Sequence, residues 1–162
     1  MKLVAATAVA LCALASTAQA QQAGKLFFEG DIVRGAQPGA PGPFCVLSNQ
    51  FKRLEKVVWR IRVLDQAGTS LDDKGLKSLL VQLPDGTKVP SYWGPHPPPH
   101  LGPTTDMFWT SAWIVPDNYP SGTFVYKVTA TDMQGQTHTW EPFKNVNSQF
   151  TVVAGAIELK PK

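Results

Sequence analysis

The chain has 162 residues, 43% of them hydrophobic, and 15 Lys and Arg against 12 Asp and Glu give a formal net charge of +3. That near-balance argues against a nucleic acid or another strongly anionic partner, which would want a clustered basic face. The length suits a single domain with its own core, and the apolar run at the start is too short for a bilayer, which needs about 20 such residues.

Residues 1–20 read as a cleaved signal peptide. Met1-Lys2 supplies the positive start, Leu3 to Ala15 the apolar run, and Ala18-Gln-Ala20 a small-x-small cleavage site before Gln21. Leu11 precedes Cys12 where lipidation wants a small residue, so cleavage near Ala20 is the better reading. The expected mature protein is residues 21–162, one domain, periplasmic or secreted, with no membrane span. It keeps one cysteine, Cys45, so no internal disulfide can brace it and its core must hold it.

In the mature chain Lys25 to Val33 reads as a first strand, with Gly30 marking a bulge. Gly35 to Pro43 is rich in Gly and Pro and reads as a surface loop, followed by a short apolar strand at Phe44–Leu47. Val57 to Asp65 alternates strictly: Val57, Trp59, Ile61 and Val63 share one face, and Arg60 and Arg62 the other. Gln66 to Gly75 is turn-rich. Leu79–Leu83 and Lys88–Tyr92 flank Pro84-Asp-Gly-Thr87, a hairpin signal. Six of the fourteen residues from Pro90 to Pro103 are proline, which favours an extended left-handed coil. Then come a strand at Met107–Val115, a corner at Pro116–Gly122 and a strand to Thr131. A turn at Asp132–Gly135, a return strand at Thr137–Trp140 and a last strand at Asn147–Val153 follow, with the final residues as a tail. Seven to nine short strands with close turn signals, and no helical period, predict an all-β antiparallel sandwich.

The stretch Tyr119-Pro-Ser-Gly-Thr-Phe124-Val-Tyr126-Lys-Val128-Thr-Ala130-Thr-Asp132-Met-Gln-Gly135 resembles the corner, penultimate strand and following turn of the immunoglobulin-like β-sandwich family. This is meant in the broad sense that includes the fibronectin-III-like modules of exported bacterial proteins. Trp59 sits on a strand where such domains often keep a core Trp. The paired cysteines of antibody domains are absent, so no inter-sheet disulfide is implied. The resemblance implies a fold and a tendency to bind; it carries no chemistry, because function resides in sites grafted onto folds.

Three groups of residues are candidates for function. The first is aromatic: Tyr92, Trp93, Trp109 and Trp113, with Phe108, Tyr119 and Trp140. A sandwich strand has one core face, so some of these rings need another cover. Either the proline-rich loop 90–103 folds over them or they form a platform for a ligand or partner. The second is His96-Pro-Pro-Pro-His100. Prolines forbid the helix that would align the two imidazoles, and in a polyproline coil their Cα atoms lie about 12 Å apart. With Cys45 and Met107 these histidines make a thiolate, imidazole and thioether set of the type copper takes. The competing reading makes Cys45 a small core residue. The third is Asp65, Asp72 and Asp73, whose spacing suits turn solvation better than calcium. No Gly-x-Ser-x-Gly or His-Glu-x-x-His is present. The expectation is an exported, non-catalytic module without a cofactor that contacts a partner protein or small ligand through 90–113. The alternative is a copper- or zinc-binding redox accessory protein using His96 and His100.

Overall fold

A computed structural model of the protein describes residues 24–40, 42, 44–96 and 106–159. The segment expected to be a signal peptide, His100 and the loop from Pro97 to Pro103 lie outside the described residues.

The described chain is all-β, with no α-helix among the described residues. Its strands are β1 (Phe27–Arg34), β2 (Gln50–Arg53), β3 (Lys56–Leu64), β4 (Leu76–Gln82) and β5 (Lys88–His96). They continue with β6 (Asp106–Ile114), β7 (Gly122–Phe124), β8 (Lys127–Asp132), β9 (Thr137–Trp140) and β10 (Phe150–Ala156). Seven form one antiparallel sheet in the order β1-β3-β6-β5-β4-β8-β9, and the other three a small sheet in the order β2-β10-β7. The sheet edges curl toward each other: Phe28 on β1 and Trp140 on β9 stack with centroids 6.2 Å apart and planes 6° from parallel. No helix among the described residues is long and apolar enough to cross a membrane.

Alternation in β3 decides the core. Val57, Trp59, Ile61 and Val63 are all buried, and Arg60 and Arg62 leave on the opposite face. Trp59 is fully buried, with ring centroids 5.8 Å from Tyr126, 6.0 Å from Phe150 and 6.5 Å from Trp113. These partners come from β6, β10 and the approach to β8, so one indole ties both sheets into a single cluster.

Turns are set by Asp side chains that accept local N–H groups. In the β4–β5 hairpin, Asp85 accepts from Thr87 N at 2.9 Å and Gly86 takes the left-handed φ of 87° that the turn demands. Asp132 Oδ1 accepts from Gln134 N and Gln136 N at 3.0 and 2.8 Å. Asp65 and Asp72 cap their own turns in the same way, which accounts for the acids between β3 and β4.

Several elements differ from expectation. The strand expected from Thr123 to Thr131 is two: β7 joins the small sheet and β8 the large one, and the chain changes sheets at Val125–Tyr126. Side-chain alternation runs through this switch, with Tyr126, Val128 and Ala130 buried, which is why the sequence conceals it. Phe44–Leu47 is not a strand; it contributes one bridge, Val33 to Leu47, and pairing resumes at β2. Gly30 stands in regular register opposite Ile61, without a bulge. β10 lies parallel to β2, so the pairing is not wholly antiparallel. The presumed tail packs as far as Ile157, whose N–H donates to Arg53 O at 3.1 Å. The arrangement is compatible with a β-sandwich.

Candidate functional site

The stretch 90–113 supplies the two arms of β5 and β6, paired from Ser91 opposite Ser111 to His96 opposite Asp106. Pairing between β4 and β5 stops at Pro90, which has no N–H to donate; beyond it β5 follows β6. Residues opposite one another in such a pair share a face and successive residues alternate. The aromatic set is thereby split in two.

Trp93, Trp109 and Trp113 face inward. Trp109 is 4% exposed, its indole N–H donates to Leu71 O at 2.8 Å, and its ring lies 5.9 Å from that of Trp93. Trp113 is half-buried among Tyr119 at 5.0 Å, Phe150 at 6.0 Å and Trp59. These rings are used in packing, and their cover among the described residues is the core itself and the turn around Leu71.

Tyr92 faces outward and is 72% exposed. The same outer face carries His96, Phe108, Arg60 and Arg62. Phe108 lies under two guanidinium groups, with Arg62 Cζ 4.9 Å and Arg60 Cζ 5.5 Å from the ring centroid. Each arginine is also held by a carboxylate. Arg60 binds Asp31 through two parallel bonds, Nε to Oδ1 at 2.7 Å and Nη2 to Oδ2. Arg62 Nη2 donates to Asp106 Oδ1 at 2.9 Å. Asp31 above all, with weaker help from Cys45 and Asp106, raises the Arg60 pKa, so the group stays cationic. A shallow depression of about 260 Å³ opens between Glu29, Asp31, Arg60, Arg62 and Phe108.

His96 packs edge-on to Phe108 at 6.4 Å, and its buried Nε2 has no partner among the described residues. Burial, then the positive charge of Arg60, lowers its pKa below that of an ordinary histidine, with Asp31 opposing. A neutral imidazole is the form a metal takes, but a neighbouring guanidinium repels a cation. Of the residues expected to share a metal, His96 and Met107 are set apart. His96 stands opposite Asp106 and Met107 opposite Pro95, so their side chains leave β5 and β6 on opposite faces. Cys45 is half-buried at a positive φ of 57°, its N–H bonded to Arg34 O. No group of three or more His, Cys, Asp and Glu side chains among the described residues is placed to hold a metal ion. His100 lies outside the described residues.

What sequence reasoning missed is the role of Phe108, Asp31 and Asp106. The outward phase of Arg60 and Arg62 was readable; the ring between them required knowing that β6 pairs with β3. Comparison with protein-family models, with curated proteins and with solved structures finds no match to this chain.

Proposed function

We propose that this protein is an exported, non-catalytic binding module of the immunoglobulin-like sandwich type. Its contact surface is the outer face of β3, β6 and β5. The observation that carries this reading is the exposed Tyr92 ring beside the Arg60–Phe108–Arg62 stack, on a solvent-facing sheet. Tyr and Arg are the residue types that dominate the energetic centres of protein interfaces. Here both arginines are already oriented by carboxylates, so little side-chain freedom is lost on contact. Arg60 and Arg62 are each paired with a carboxylate, which favours a protein partner or polar ligand over a polyanion.

The test is in-cell photo-crosslinking with a benzophenone residue at position 92 and, as control, at Gln134 in the β8–β9 turn. One discrete adduct from position 92 alone is expected. Unlabelled protein should compete it away, and the Phe108→Ala variant should not. Equal adducts from both positions, or none from 92, refute the reading. Export is checked separately by N-terminal sequencing of the processed protein, expected to begin at Gln21.

A further inference from the structure

We propose that the groove between β1 and β9 is a binding site for a neutral carbohydrate, a reading that goes beyond the outer-face contact above. The groove encloses about 470 Å³, within the roughly 300–1,000 Å³ of small-molecule sites. It exists because the seven-stranded sheet curls without joining its edges. Trp140 reaches across toward β1, where a Cβ added to Gly30 would meet its Cη2 at 3.8 Å. Phe143 lies along the wall and is 81% exposed, while the preceding Pro142 is buried. A large apolar ring held in water beside a formed hollow is an unfilled contact.

The polar lining selects the ligand. Asn49 lines the groove; its Nδ2 donates to Val146 O at 2.8 Å, which fixes the amide and leaves Oδ1 as an acceptor. Asn147 brings a second, exposed amide. Burial, and then the nearby charge of Asp31, pushes the Tyr126 phenol far above its usual pKa, so it remains a neutral O–H donor. Among the described residues Asp31 is the one carboxylate in the lining, and Arg60 neutralises it. Among the described residues no Lys, Arg or His lines the groove, so a phosphate or sulfate finds no counter-charge there. With its carboxylate already paired, the groove gives a cationic peptide nothing to bind either. What fits is an uncharged ligand with an apolar face for the rings and hydroxyls for the amides and the phenol. A sugar ring has both.

The test is an array of neutral and charged oligosaccharides probed with the mature protein, followed by calorimetric titration of the strongest soluble neutral binder. Phe143 and Asn147 are exposed, so their alanine variants should fold as the parent does. Phe143→Ala should weaken binding roughly tenfold, as loss of an aromatic contact does. Asn147→Ala should weaken it several-fold, and Tyr92→Ala should leave it unchanged. Retention of no neutral glycan, or an affinity indifferent to Phe143→Ala, overturns the proposal and leaves the outer-face reading standing. So does binding restricted to charged glycans, or displacement of the sugar by an extended peptide that protects β1 amides from exchange. Binding lost in Tyr92→Ala alone moves the sugar to the outer face and overturns the groove.

Discussion

The two faces of β3, β5 and β6 are made by the same strands and use the same kinds of ring, yet they do opposite work. Inside, Trp59, Trp109 and Trp113 meet Tyr126, Phe150, Tyr119 and Trp93. Outside, Phe108 meets two arginines and Tyr92 meets water. An aromatic count along the sequence is therefore a poor guide to function; the phase of each ring within its strand decides. The inner rings gain from area removed from water and from edge-to-face packing. The outer ring gains from its quadrupole facing cations, a smaller effect that salt and solvent weaken.

The largest expected effect is at the inner face. Trp59→Ala should cost about 3–5 kcal/mol in urea unfolding, because the cavity opens among three other aromatic rings. Phe108→Ala should cost about 1 kcal/mol; equal losses for the two would erase the distinction between the faces. Second is Gly35, where the loop after β1 crosses Val58 on the outer side. A Cβ there would fall 2.6 Å from Val58 Cγ2, so Gly35→Ala should destabilise by about 1–3 kcal/mol. Third is the pH response of His96. Its folded pKa lies below its unfolded value near 6.5. Below about pH 6.5 the unfolded chain therefore takes up a proton that the folded one does not, and stability falls as pH falls through that window. Urea midpoints across pH 4.5–7.5 should show this slope, and His96→Gln should flatten it. Fourth, Arg62→Ala removes an exposed ion pair and should cost less than about 1 kcal/mol, shrinking further in salt. Smallest is Tyr92→Ala, expected within about 0.5 kcal/mol of the parent while abolishing the contact at position 92. A large stability loss there would mean that the outer face belongs to the core.

Local signals were the legible ones. The alternation of Val57 to Val63 gave both β3 and its buried face, and Pro84-Asp-Gly-Thr87 gave the hairpin, because period and turn chemistry are written within a few residues. Non-local pairing was not legible. Nothing in Gly122 to Asp132 marks the place where the chain changes sheets, since alternation passes through Val125–Tyr126 undisturbed. Nor does Phe51 announce that β2 will lie parallel to a strand about a hundred residues later. The same limit applies to the candidate sites. Tyr92 was readable as an unusual residue, but its neighbours Phe108, Arg60 and Asp31 come from three strands joined only by the fold. The groove residues Asn49, Tyr126 and Phe143 are as widely dispersed.

The stacked Phe28 and Trp140 rings have a mechanical consequence. Neighbouring strands in the large sheet are laced by backbone hydrogen bonds, β4 and β5 as far as Pro90; across this seam, among the described residues, side chains make the contact. It is a line along which the molecule can breathe without breaking a ladder. Transient parting there would wet Tyr126, whose ring lies 6.4 Å from that of Trp140, and a bound molecule wedged into the seam would act as a latch, slowing that opening and the exchange of the amides beside it.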